Sequence, residues 1–243
     1  MAHSPRSISA WHRILRCPAS VRLCAQVPPS PGGDAAQAGT LVHGEFERIA
    51  RGGVQELNLD VILELEALGY SSEWASEMLS VSLAGLAKIA REHDLDRIQF
   101  EQRVDPGRLI GRTDCWGTAD VIGISRDGRT LVVADLKTGR GYVDPRGNEQ
   151  MGGYALGALA MDEVPTTIER VVLVILQPPI SSEPMQWSCT VADLRRWGEM
   201  VKRRMLLADD PTTEPTPSAK ACQWCAAKPV CPAYAGGNRA IAA

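Results

Sequence analysis

The sequence predicts an α/β fold, a central mixed sheet flanked by helices, with a helical N-terminal region before it and a cysteine-bearing tail after it. Three observations predict it. The hydrophobic period changes from helical to alternating near residue 97, where a strand region runs to about 137. Residues 169–177 read as a buried strand, with an unbroken apolar run over Val171–Leu176. Between these strand signals, residues 146–161 return to a helical pattern, the crossover that a parallel pair requires.

The 243 residues fit one sizeable domain, 1–243. Its parts are an N-terminal helical region (1–96), a core (97–207), and a linker with tail (208–243). Residues 8–25 read as a short helix carrying Trp11, Ile14, Leu15, Val21 and Leu23. The Pro/Gly-rich residues 28–34 break it, and a helix follows from about 35 to 49. Two more helical stretches lie near 56–68 and 72–92. After the strand at 169–177, residues 184–190 are its expected antiparallel neighbour, and a charged helix spans about 191–207. Residues 211–217 form a Pro/Thr-rich linker into the tail.

Net charge is −3, so no global basic field points to a nucleic-acid partner, and any DNA contact must come from local patches. Arg6, His12, Arg13 and Arg16 leave no uninterrupted apolar stretch near the start, which argues against a secretory signal. No run of eighteen apolar residues predicts a membrane span. Seven cysteines in a chain of cytoplasmic character point to metal or core roles rather than disulfides.

The chemistry concentrates in a predicted hairpin. Its arms are Gly117–Ile124 and Thr130–Lys137, joined by a turn in which Gly128 accepts positive φ. Centred there, the hairpin sets Asp120 opposite Asp135, with Cβ atoms roughly 4.5–5.5 Å apart. Lys137 shares the face of Asp135, while Leu136 points away. Facing carboxylates repel unless a positive charge lies between them. A divalent cation with Lys137 beside it answers that problem, and the arrangement suits phosphodiester hydrolysis.

Other residues extend the site. His43 and Glu47 are four apart on the 35–49 helix, and the imidazole can complete a cation site that suits Mn²⁺ better than Mg²⁺. Gln150 and Tyr154, again four apart, can both face the hairpin edge, with Asn148 or Glu149 capping their helix. In the tail, Cys222, Cys225 and Cys231 have compact thiolate-ligand spacing. Cys17, before a proline, is the preferred fourth ligand and Cys24 the alternative; zinc would accept the same four sulfurs. Cys115 and Cys189 read as core residues in apolar strands. Arg195, Arg196, Lys202, Arg203 and Arg204 make one face of the 191–207 helix basic, a stripe able to track phosphates.

Taken together, these motifs resemble the PD-(D/E)xK nuclease superfamily over nearly the whole chain, in its RecB/AddB-like and CRISPR-associated RecB-like exonuclease branch. Gly39-Thr40-x-x-His43 resembles the first motif, Gly117-Thr118-Ala119-Asp120 the second, and Asp135-Leu136-Lys137-Thr138-Gly139 the third. Gln150-x-x-x-Tyr154 resembles the motif behind the active site, and Cys17 with C-x2-C-x5-C resembles an iron–sulfur staple. Gly111-Arg112-Thr113-Asp114 also resembles the second motif, but hairpin registration prefers Asp120 and leaves Asp114 at the mouth of the site.

The resemblance implies a restriction-endonuclease-like core and a metal-dependent DNA exonuclease of phage or prophage type, acting in recombination, replication or repair. The implied ligands of Mg²⁺ or Mn²⁺ are His43, Asp120, Asp135 and the Leu136 carbonyl, with Lys137, Gln150 and Tyr154 beside them. A [4Fe-4S] cluster would sit on Cys17, Cys222, Cys225 and Cys231. Single-stranded DNA or duplex ends, a recombination or replication protein and a cytoplasmic location in a bacterial host are the implied setting. The competing expectation is a catalytically quiet DNA-binding module that keeps the fold and staple.

Overall fold

In the computed structural model, which describes residues 4, 6–28 and 32–235, five strands form one mixed sheet between two layers of helices. Before the sheet come α1 (Trp11–Ile14), α2 (Ser20–Cys24), α3 (Asp34–Ala50), α4 (Leu59–Ala67) and α5 (Ser72–Glu92). The predicted helix over 8–25 is in fact broken into short pieces. The turn around Cys17-Pro18 interrupts it, since proline can neither donate a backbone hydrogen bond nor leave its predecessor freely helical. The 72–92 helix is reproduced residue for residue, with Ser71 accepting from Trp74 N as its cap.

The sheet order is β1 (Leu95–Val104), β2 (Gly117–Ser125), β3 (Thr130–Leu136), β4 (Arg170–Leu176) and β5 (Met185–Thr190). Only β3 and β4 run parallel, joined across one face by α7 (Glu149–Leu159). Every residue of β3 is buried, and so are Val171–Leu176 of β4, as a strand covered on both faces requires. The 97–137 region holds, besides its strands, the one-turn helix α6 (Gly107–Ile110). Asn148 caps α7 by accepting from Gln150 N and Met151 N. Helix α8 (Val191–Asp209) starts with a capping box between Thr190 and Asp193.

Two apolar clusters hold the layers together. One packs α7, α8 and the Ile8–Ile14 segment on one sheet face, and the other packs α3, α4 and α5 on the opposite face. Each fully buried Leu, Ile or Val contributes about 1.5–3 kcal/mol. Cys115 is fully buried in the first cluster, although it lies in the connection before β2 rather than in a strand. The tail carries two single-turn helices, α9 (Ala219–Cys222) and α10 (Pro232–Ala235). It folds back on the N-terminal region, where Leu23, Ala227 and Cys231 pack together.

Asp114 has a structural post rather than one at the site mouth. Arg112 grips it through Nε at 2.7 Å and Nη2 at 2.9 Å, and Arg6 and Asp209 complete a four-residue ion network. The Arg112 hydrogen bonds, against the opposing effect of burial and with the added charge of Arg6, hold its carboxyl down at about 2. A depressed folded-state pKa stabilises the protein above the unfolded value near 3.8 and is lost as pH falls through 2. Asp114→Asn should therefore lower the melting temperature near neutrality by about 2–4 °C, the shift of roughly 1 kcal/mol. The gap from wild type should close below about pH 3, read by calorimetry across that range.

Candidate metal centre

The site sits where the sheet breaks its own alternation. Strands β2 and β3 pair Val121 with Ala134 and Ile122 with Val133, so continuing one residue sets Asp120 across from Asp135 as the hairpin numbering predicts. On the other side of β2, Phe100 pairs with Val121 and Gln102 with Ala119, which sets Glu101 across from Asp120. Three carboxylates thus form a row across three neighbouring strands.

Side chains two apart in a strand share a face. Yet Phe100 packs with α3 and α5 while Val104 packs with α7 and α8, and Val121 and Ala119 divide the same way. The break on β1 is Glu101, whose φ of +48° is left-handed in a non-glycine residue. Such a conformation costs on the order of 1–3 kcal/mol and concentrates at functional sites. It turns Glu101 toward His43 and Asp120, and the three offer ligand atoms within 4.8 Å of one another. Glu101 was missed in the sequence because strand periodicity presumes a regular backbone; an acid in register with Asp120 was the available signal.

His43 comes from α3, whose Gly39 lets the segment after β3 approach. A Cβ there would stand 3.0 Å from Thr138 Oγ1. His43 Nδ1 lies 3.3 Å from Asp120 Oδ2, and the same oxygen accepts from Leu136 N at 2.7 Å. The Leu136 side chain belongs to the α3-side core, so the residue meets the cleft with its backbone. Glu47, one turn beyond His43, accepts from Arg51 Nε at 2.9 Å.

Asp135, only 2% exposed, faces Lys137 and Gln150. Lys137 Nζ is 2.7 Å from Asp135 Oδ2, a buried ion pair in which the ammonium faces the carboxylate directly. Gln150 Nε2 lies 3.3 Å from Asp135 Oδ1 and 2.8 Å from Tyr154 Oη, while its Oε1 accepts from Lys137 Nζ at 3.4 Å. The helical spacing of Gln150 and Tyr154 therefore does aim both at the hairpin edge.

The electrostatics reflect crowding of like charge. Burial, then the charges of Asp120, Glu47 and Asp135, pushes the Glu101 carboxyl up to about 7. Burial also raises Asp135, against Lys137, and Asp120 adds to the rise. Burial pulls His43 down, but its hydrogen bond to Asp120 and the charges of Asp120 and Asp135 outweigh it and raise the imidazole. Lys137 behaves likewise: burial lowers it, and Asp135 and Asp120 more than restore its ammonium. Tyr154 is raised chiefly by burial and stays a neutral phenol. The donor set fits a divalent cation, since His43, Glu101 and Asp120 converge and a glutamate pushed up by burial and neighbouring carboxylates is what such an ion would relieve.

An open cleft of about 460 Å³ is lined by His43, Glu101, Asp120, Leu136 and Lys137, bounded by α3 on one side and Thr138 and Gly139 on the other. Gln177, 1% exposed, pins the segment after Lys137: Nε2 donates to Gly139 O at 2.8 Å and Gly141 O at 2.7 Å, and Oε1 accepts from Val143 N at 3.1 Å.

A second cluster lies at the chain ends. Cys17, Cys222, Cys225 and Cys231 line one small cavity. Cys17 Sγ accepts from Thr216 N at 3.3 Å. Cys24 is also close, with its Sγ 3.8 Å from that of Cys225 and 3.0 Å from Arg13 Nη1. Both candidate fourth thiols are thus brought to the tail. The basic stripe of α8 is less simple than its spacing implied. Arg195, Arg196, Lys202 and Arg203 are exposed, but Arg204 donates to Leu15 O at 2.7 Å and Arg16 O at 3.1 Å. The stripe also belongs to the layer opposite α3, so the sheet stands between it and His43.

A mixed sheet with a cleft of carboxylates, lysine and histidine defines a protein with a candidate cation site. The chain matches the model of a family described as "Protein of unknown function (DUF2800)" over residues 3–243, and it belongs to that family. Among solved structures it is similar to one titled "Crystal structure of SSO0001", at 16% identity over 81% of this chain and 96% of that one, with a TM-score of 0.33. Among the described residues no helix is long and apolar enough to cross a membrane.

Proposed function

We propose that this protein is a metal-dependent DNA exonuclease, as its resemblance to the PD-(D/E)xK superfamily implies. The observation that carries the reading is the open cleft shared by Glu101, Asp120, His43 and Lys137, with Asp135 next in the carboxylate row and buried against Lys137. His43, Asp120, Asp135 and the Leu136 carbonyl would hold Mg²⁺ or Mn²⁺, and Glu101 joins that set. When bound, such an ion supplies Lewis-acid stabilisation of phosphoryl oxygens and lowers the pKa of a water. Lys137 keeps its proton and offers a fixed positive charge to the oxygens that gain charge as phosphorus is attacked. Gln150 touches both members of the Lys137–Asp135 ion pair and helps fix their positions, and Tyr154 holds Gln150.

The catalytically quiet module is disfavoured because facing carboxylates repel phosphate when no cation lies between them. For the cysteines we propose a [4Fe-4S] cluster, with zinc as the alternative, tying the tail to Cys17. A cytoplasmic setting and a recombination or replication partner belong to the same reading.

The test is end-labelled linear DNA and closed circular DNA incubated with anaerobically purified protein and Mn²⁺. Linear DNA should be degraded from its ends and the circle spared. Equal attack on both would make the enzyme an endonuclease. Binding to linear DNA without any cleavage would favour the quiet module and overturn the nuclease.

A further inference from the structure

The face reset at Glu101 has a second effect. Beyond it, Val104 and Ala119 turn inward to the α7 side, so Arg103 and its cross-strand partner Thr118 fall on the opposite face, that of α3, and Trp116, just before β2, meets Arg103. Thr118 is exposed and lines the cation cleft next to Asp120. Two residues further on, Trp116 is half-buried yet joins neither apolar cluster, and the Arg103 guanidinium lies 4.2 Å over its ring. Of three arginines around the trough on the α7 side of this sheet edge, Arg108 is paired with Asp162 and Arg112 with Asp114 and Asp209. Arg103 has no carboxylate partner among the described residues, and its charge is left over.

We infer that Arg103 and Trp116 form a stacking platform for a single DNA strand whose scissile phosphate lies in the cation cleft. This rests on the nuclease reading. A guanidinium held over an indole offers a stacking surface to a base and a charge to the backbone, the pairing used by proteins that track single strands. Four residues along a strand span about 13 Å, so the platform meets a base no more than roughly four nucleotides from the cleft. A duplex end would have to release that base before it could stack.

The test is fluorescence anisotropy of a labelled twenty-nucleotide oligo(dT) on the intact protein in Ca²⁺, with Mn²⁺-dependent cleavage of the same oligonucleotide followed in parallel. Trp116→Ala should weaken binding roughly ten- to a hundredfold, and Trp116→Phe, which keeps a ring, should restore most of it. Arg103→Gln should reduce the salt slope by about one. One abasic position a few nucleotides from the cleaved bond should weaken wild-type binding and leave Trp116→Ala binding unaltered. Folding of each variant is checked by circular dichroism; Trp116 lies outside both cores, so its truncation spares them.

Wild-type cleavage with oligonucleotide affinity unmoved by all three substitutions would overturn the platform and leave the nuclease standing. Platform-dependent binding without any Mn²⁺-dependent cleavage would do the reverse. Affinity lost for blunt duplex but not for single strands would also overturn the inference. Neither binding nor cleavage by the wild type would remove both.

Discussion

Asp135→Asn and Asp135→Ala should lower Mn²⁺-dependent DNA cleavage at least about a thousandfold, the factor that several kcal/mol of lost transition-state stabilisation gives. Lys137→Ala and Asp120→Ala should fall in the same range, because the three act as one unit around the cleft. The fold should survive. Burial already penalises the Asp135 carboxylate, and asparagine keeps the shape without the charge. A melting temperature within a few degrees of wild type, beside lost activity, separates chemistry from collapse. The cation should stabilise the wild type with a definite pH sense. The folded pKa of Glu101 is raised to about 7, so its burial carries no penalty below about 4.5 and an increasing one as pH climbs toward 7. Mn²⁺ should therefore raise the melting temperature more at pH 8 than at pH 5. Wild-type cleavage by Asp135→Ala would end the nuclease reading.

Cys225→Ser should lower the melting temperature by about 10–20 °C and cut the yield of soluble protein. Cys17 and Cys222 line one cavity from opposite ends of the chain, and a bond through a shared centre closes a loop of about 200 residues. Restricting the unfolded chain that far is worth about 5 kcal/mol, and at 2–4 °C per kcal/mol the stated shift follows. Anaerobic wild-type protein should be brown, with broad absorption in the blue. Stoichiometric zinc without iron, under anaerobic expression with iron supplied, would reject the cluster and keep the staple. Hydrolysis needs no electron transfer, so the residual folded fraction of Cys225→Ser should retain its specific activity at low temperature. A well-folded, Mn²⁺-binding but inactive fraction would contradict a purely structural role.

Much of the site was legible because its signals are local. The Gly128 turn fixes the hairpin register, and that register alone places Asp120 against Asp135. Helical spacing aims Gln150 and Tyr154 at one edge, and the buried run of β4 marks the parallel pair. What stayed hidden depends on departures from regular backbone or on distant partners. Glu101 enters the site only through a left-handed residue that a strand pattern does not anticipate. Asp114 looked like a second-motif acid until Arg6, over a hundred residues away, joined Arg112 in pairing with it, with Asp209 bridging the same two arginines. Arg204 counted toward a basic stripe until its guanidinium met the Leu15 and Arg16 carbonyls.

The account stands on a divalent cation among Glu101, Asp120, Asp135 and His43, and crystals soaked in Mn²⁺ test it most directly. Anomalous difference density at the manganese edge should give one dominant peak within ligand distance of an Asp120 oxygen, with Glu101, Asp135 or His43 completing the shell. Dominant density elsewhere, or an empty cleft at saturating Mn²⁺ with Lys137 Nζ occupying the space between the carboxylates, would contradict it.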